Sequence, residues 1–188
     1  MKHFLALLGL ALPMLGAAQS LSGDKQQNLL GKGHLNVGIH VGQGYQGSYP
    51  TTNFVSPSVQ YFIADGWSVA VEGRFLNAMS LYDLTYLGGG LSSRYYVLRK
   101  KRFAVFGQVG AIYGQSRYHK WEPMDIEASL KAIPNANWQT SAGLGAHYRI
   151  GKRWSVEAVA ERSWLAATYL TPSYNRWQVS AGIRYWLK

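Results

Sequence analysis

Apolar and polar residues alternate one by one along much of this chain. Leu35, Val37, Ile39 and Val41 alternate with Asn36, Gly38, His40 and Gly42. Near the far end Trp177, Val179, Ala181, Ile183 and Tyr185 alternate with Gln178, Ser180, Gly182 and Arg184. A period of two belongs to a β-strand with one face in an apolar medium. The pattern predicts eight strands, at Leu35–Gly44, Val55–Ile63, Trp67–Leu76, Tyr86–Val97, Phe103–Gly114, Trp138–Ile150, Trp154–Ser163 and Arg176–Leu187. Pro57 falls inside the second and lacks the N–H that a ladder uses. It predicts either the loop-side end of that strand or a bulge.

A repeat punctuates the pattern. Three times a tyrosine, any residue and an aliphatic lead into a short polar turn, followed by an aromatic, a small residue and valine. The copies are Tyr61-Phe62-Ile63 to Trp67-Ser68-Val69, Tyr95-Tyr96-Val97 to Phe103-Ala104-Val105, and Tyr148-Arg149-Ile150 to Trp154-Ser155-Val156. A half copy, Tyr185-Trp186-Leu187, ends the pattern. Alternation puts Tyr61, Trp67, Tyr95, Phe103, Tyr148, Trp154 and Tyr185 on one face at the base of the hairpins. Amphipathic rings at one depth are the interface girdle of a transmembrane barrel. The turns at 64–66, 98–102 and 151–153 are short, and longer segments are expected near 45–54, 77–85, 115–137 and 164–175. That asymmetry matches short periplasmic turns and longer outside loops.

Composition then narrows the compartment. Lys2 and His3 precede an apolar run from Phe4 to Leu15 and the small residues Gly16, Ala17 and Ala18, which describes a signal peptide over 1–18. Residues 19–32 are expected to form a polar periplasmic leader without a fold, and 33–188 the barrel. There are no cysteines, so an exported fold is held without disulfides. The mature segment keeps 18 basic residues (19 less Lys2) against 9 acidic ones, an excess of +9. Along the sequence these charges look scattered, and export argues against nucleic acid as their partner. Anionic lipid headgroups and lipopolysaccharide phosphates fit better. After the signal no apolar run is long enough for a membrane helix, so a membrane-spanning fold must be a closed barrel.

The stretches PSVQYFIADGWSVAVEGRF, SRYYVLRKKRFAVFGQVGAIYG and VSAGIRYW resemble the bacterial outer-membrane β-barrel domain family, including small OmpA/OmpX-type and opacity-protein barrels. The resemblance spans nearly all of the mature segment. It implies an all-β, eight-stranded, antiparallel up-and-down transmembrane barrel in the outer membrane of a Gram-negative bacterium. It also implies recognition by the barrel assembly machinery, although Leu187 and Lys188 follow the aromatic Trp186 that usually ends such a signal.

The opposite strand faces carry Glu72, Arg74, Arg94, Gln108, His147, Arg149, Glu157, Glu161 and Arg184. An eight-stranded interior is just wide enough for side chains to fill. Glu72, Glu157 and Glu161 are therefore expected to meet Arg74, Arg94, Arg149 and Arg184 across the lumen. Such a network is either a polar plug or a narrow ion path. Arg162 is expected near the loop end. No Gly-x-Ser-x-Gly elbow or His-x-Ser pairing is present, so no catalytic residue is assigned. His34, His40, His119 and His147 show no ligand spacing, so no metal and no cofactor is expected. The 115–137 segment mixes Arg117, His119, Lys120 and Lys131 with Tyr118, Trp121, Glu122, Asp125 and Glu127, a surface suited to an extracellular ligand. A helical turn is expected from Asp125 to Ala132. A structural, adhesion or surface-interaction role leads. A narrow porin-like channel, a lipopolysaccharide-modifying enzyme and a soluble lipocalin-like carrier are the alternatives.

Overall fold

A computed structural model describes residues 29–46, 49–78, 82–120, 133–165 and 174–187. The expected signal peptide, residues 19–28 of the leader and the helical turn at 125–132 lie outside the described residues. The eight strands are β1 (Leu35–Gln46), β2 (Tyr49–Ala64), β3 (Trp67–Ala78), β4 (Tyr82–Arg99), β5 (Phe103–Lys120), β6 (Ile133–Arg149), β7 (Trp154–Leu165) and β8 (Tyr174–Trp186). Each pairs antiparallel with its neighbour in sequence, and β8 closes the barrel against β1. Closure leaves no edge strand, so every strand has a partner on both sides.

The strands run further than their apolar stripes. β4 and β5 reach 18 residues each, and their pairing continues from Arg99↔Ala104 to Tyr82↔Lys120. β1 and β2 reach Gln46 and Tyr49, β3 and β4 reach Ala78 and Tyr82, and β5 and β6 reach Lys120 and Ile133, so strands occupy much of the segments expected as loops at 45–54, 77–85 and 115–137. Alternation marks only the part of a strand that faces lipid. Backbone pairing carries on above it, through polar stretches such as Tyr49 to Asn53, because hydrogen-bonded ladders do not depend on an apolar face.

Pro57 neither ends β2 nor makes a bulge. It lies in mid-strand, opposite Ile39 of β1. Pairing with β3 passes from Val55↔Phe75 to Ser58↔Glu72 in one register, leaving out Ser56 and Pro57. The Ser56 hydroxyl fills the gap by donating to the Gly73 carbonyl at 2.7 Å. At the short-turn end Gly66 takes a φ of 74°, in the left-handed region, beside a register shift between Phe62 and Ala64. A bulged connection with glycine in that position is a common hairpin closure.

Residues 29–32, the described end of the segment expected as a leader, pack onto the barrel together with Gly33 and His34. Leu30 is fully buried in the short-turn end of the lumen against Phe62, Tyr96, Ala104, Phe106, Val159 and Trp186. Its carbonyl accepts from Gly66 N at 2.7 Å, Gly33 N donates to Phe62 O at 2.9 Å, and Lys32 N donates to Asp65 Oδ1 at 2.9 Å. An apolar residue five before β1 thus caps the barrel, a role that a polar-leader reading hides.

Candidate functional site

Polarity is inverted relative to a water-soluble protein. In β7 the exposed Trp154, Val156, Ala158 and Ala160 alternate with the buried Ser155, Glu157, Val159 and Glu161. Val71, Leu87, Leu91 and Leu144 face outward at 60–67% exposure. Arg94, His147, Glu157 and Arg184 are at most 3% exposed. A lipocalin-like carrier needs the reverse, an apolar interior around its ligand.

All seven hairpin-base aromatics point outward. Tyr61, Trp67, Phe103, Tyr148 and Trp154 are exposed, and Tyr95 and Tyr185 partly so. The Trp154 and Tyr185 rings pack 4.9 Å apart, and Trp67 Nε1 donates to Ser93 Oγ at 2.9 Å. A second belt, absent from the sequence reading, sits toward the loop end: Tyr113, Trp138, Trp164 and Trp177 are 40–55% exposed. Trp138 packs on Tyr113 at 5.1 Å, and the Arg162 guanidinium lies 5.6 Å over Trp177. Phe103 to Tyr113, Trp138 to Tyr148 and Trp154 to Trp164 are each ten residues apart. Ten residues span about 33 Å along a strand, which a tilt of about 40° turns into about 25 Å of height. That is the height of the apolar band of an outer-membrane barrel. The spacing was the signal that could have revealed this belt.

The lumen is built in layers. At the short-turn end the Leu30, Phe62, Tyr96, Phe106 and Trp186 side chains form an apolar cap. Phe62 packs on Tyr96 at 5.6 Å and on Trp186 at 5.7 Å. These inner rings follow outer ones directly in sequence, as in Tyr61-Phe62, Tyr95-Tyr96 and Tyr185-Trp186, and that doubling was their sequence signal. At the loop end Phe54, Leu76, Tyr86, Ile112 and Leu165 form a second cap.

Between the caps lie the charges. Glu157 is the hub. Its Oε2 accepts from Arg184 Nε at 2.6 Å and Arg94 Nη1 at 2.7 Å and contacts His40 Nε2 at 3.0 Å, while its Oε1 meets His147 Nδ1 at 3.1 Å. Arg184 Nη1 also donates to Asn36 Oδ1 at 2.7 Å. Above this hub Arg74 Nη2 pairs with Glu161 Oε1 at 2.9 Å, and Gln108 Nε2 donates to Glu161 Oε2 at 2.7 Å. Two of these arginines also lean on an aromatic cap, Arg94 at 4.7 Å from Phe106 and Arg74 at 4.9 Å from Phe54. The layers are therefore joined by cation–π contacts, which strengthen when desolvated.

Two expected partners behave differently. Glu72 accepts from the Ser92 hydroxyl at 3.2 Å, and its charge acts on the nearby Arg94 guanidinium. Arg149 stands at the mouth, where its Nε donates to Gly151 O at 2.7 Å and its Nη2 to Lys152 O at 3.2 Å. Its position two residues from the turn lets it close the turn. His40 and Asn36 were not assigned to the network from sequence, although both lie on the inward face of β1. Gly182, opposite His40, makes room for that imidazole, since a Cβ there would collide with the ring.

No family model and no curated protein sequence matches the chain. Solved structures do. The N-terminal β-barrel domain of Pseudomonas aeruginosa OprF superposes with a TM-score of 0.57 at 11% identity, covering 84% of this chain and 99% of that one. Neisserial surface protein A gives 0.55 at 13% identity, over 81% and 95% of the two chains. The outer membrane protein OprG from Pseudomonas aeruginosa gives 0.51 at 12%, over 84% and 98%. At these identities the likeness is one of fold, and it is the fold of small outer-membrane barrels.

Proposed function

We propose that the chain is an integral outer-membrane protein of a Gram-negative bacterium, with a structural, adhesion or surface-interaction role and no catalytic one. One observation carries the reading: lipid-compatible side chains cover the wall between two aromatic belts, while the ionised groups are enclosed. In water that wall would expose an apolar surface far beyond the patches that soluble monomers tolerate. In a bilayer it matches the solvent. The surface for partners is then the loop end, where Arg117 and Asn175 stand beyond the upper belt and Arg162, level with Trp177, donates to Asn175 Oδ1 at 2.6 Å.

The lumen supports a plug over a channel, because aromatic and aliphatic side chains close it at each end, those at the loop end packed around the buried Arg176. The same caps speak against lipid chemistry. His40 and His147 are committed to Glu157 inside the wall, while acyl chains lie outside it. Electrophoresis of the detergent-solubilised protein with and without boiling tests membrane residence: a folded barrel migrates differently from the boiled chain. A mature protein that stays monomeric in water without detergent overturns the proposal. In planar bilayers the plug gives no single-channel openings over a wide voltage range, and regular openings would move the role to conduction.

A further inference from the structure

The charges that look scattered in the sequence are sorted by the fold. Inside, Arg74, Arg94, Arg176 and Arg184 stand against Glu72, Glu157 and Glu161, four against three. Nearly all of the excess therefore lies elsewhere, and much of it sits on one rim. The β4–β5 turn is basic at every position from Arg99 to Arg102. The β6–β7 end carries Arg149, Lys152 and Arg153, and Lys32 precedes β1. Among the described residues of this rim, eight cations face one acid, Asp65, whose Oδ1 already accepts from Lys32 N. In the sequence, residues 115–137 hold three lysines and arginines against three acids.

The rim is also held at a defined depth. Arg153 Nη1 donates to the hydroxyl of Tyr185, a member of the lower belt, at 3.1 Å. Arg99 lies across the β2–β3 turn, its guanidinium within 3.1 Å of where a Cβ on Gly66 would stand. Belt aromatics sit at headgroup level, so cations hydrogen-bonded to them and just beyond them meet phosphates.

Resting on the outer-membrane reading above, we propose that this basic rim is a binding site for anionic glycerophospholipid headgroups, of the phosphatidylglycerol class, in the leaflet at the short-turn end. The phosphates accept from the turn lysines and arginines while the acyl chains lie against the aliphatics above the lower belt. Charge complementarity and depth both select a lipid. A soluble acidic partner would need the charges to project, whereas Arg149 and Arg153 are bound back onto their turn and the belt. Each Lys or Arg near an anionic surface strengthens association about fivefold.

The test titrates phosphatidylglycerol into the folded, full mature protein in uncharged detergent and counts bound lipids by native mass spectrometry. Phosphatidylcholine and lipid A serve as parallel probes. The wild type should bind phosphatidylglycerol at least tenfold more tightly than phosphatidylcholine, with the preference fading as salt rises. K100Q/K101Q/K152Q/R153Q should lose that preference, and R117Q at the loop end should keep it. If the fourfold variant does not fold, K100Q/K101Q and K152Q/R153Q should each lose part of it. An unchanged preference in the rim variants overturns the proposal. So does a rim variant that loses lipid A binding instead, or a wild type that binds phosphatidylglycerol and phosphatidylcholine alike. A protein that never reaches the heat-modifiable form in detergent sinks the membrane reading itself, a different and separable result.

Discussion

The outer wall and the lumen of this barrel are made by the same strands from alternate residues, yet they obey different rules. The wall is uniform: aliphatics between two belts, each residue answering only to the lipid beside it. The lumen is particular: Glu157 of β7 is held by Arg94 from β4, Arg184 from β8, His40 from β1 and His147 from β6. A wall position can be exchanged for another apolar residue with little consequence. A lumen position is coupled to strands across the barrel. The contrast teaches that one face is specified by solvent and the other by partners.

The largest effect should come from breaking the hub. Removing one member of a buried ion pair costs about 3–5 kcal/mol, because the remaining charge is left uncompensated. Glu157→Leu strands two arginines, so urea unfolding of the folded barrel should show a loss at the top of that range, about 5 kcal/mol. The cause can be isolated. Replacing Glu157, Arg94 and Arg184 together by Leu or Met should cost less than Glu157→Leu alone, as apolar replacement of whole buried ion clusters often does. If the triple variant is the weaker of the two, side-chain volume rather than stranded charge governs the lumen.

The wall is broken by depth instead. Leu144 lies midway between Trp138 and Tyr148 on β6 and is 67% exposed. Leu144→Arg should cost about 2–4 kcal/mol at mid-band, while Trp138→Arg, at the upper belt, should cost about 0–1 kcal/mol from charge alone. The same urea titration in lipid vesicles measures both. Equal costs at the two heights would contradict the membrane position derived from the belts.

The junction of the two regimes is the short-turn cap. Leu30→Ala removes a fully buried side chain from the contacts with Phe62, Phe106 and Trp186. Core leucine truncations cost about 2–5 kcal/mol. Leu30 belongs to a short segment ahead of β1, so the loss should fall near about 2 kcal/mol. Earlier opening of the 29–34 segment in hydrogen exchange should accompany it. Unchanged exchange there would show that Leu30 does not fasten the segment.

How far the sequence carried follows from the same contrast. Alternation located all eight strands and the outward belt residues from Tyr61 to Tyr185, because facing lipid is a local property with a period of two. It also placed Glu72, Glu157 and Arg184 on the inward face. It did not assign their partners, since which arginine reaches Glu157 depends on register across strands as much as 117 residues apart, as for His40. It set Gly38, Gly42 and Gly182 on the inward face without their packing role, which lies in a bulky neighbour such as His40 opposite Gly182. It cut the strands short, because polar pairing above the membrane has no apolar stripe. It also saw charge in one dimension, where the basic turns are separated by whole hairpins.

The smallest effect concerns Pro57, where wall and lumen requirements collide on one strand. Its ring faces outward, where an apolar group suits lipid, but its missing N–H leaves the β2–β3 ladder open beside Gly73. The inward Ser56 hydroxyl answers that carbonyl at 2.7 Å. In lipid an unanswered backbone carbonyl has no water to turn to, so Ser56→Ala should cost about 1 kcal/mol, the net worth of one hydrogen bond. Pro57→Val restores a donor to the strand and keeps the wall apolar. In that background Ser56→Ala should become nearly neutral, because the new N–H can take over the β3 carbonyls. A double-mutant cycle measures the coupling between the two sites. If Ser56→Ala costs the same with and without Pro57, the hydroxyl is not standing in for the missing ladder bond.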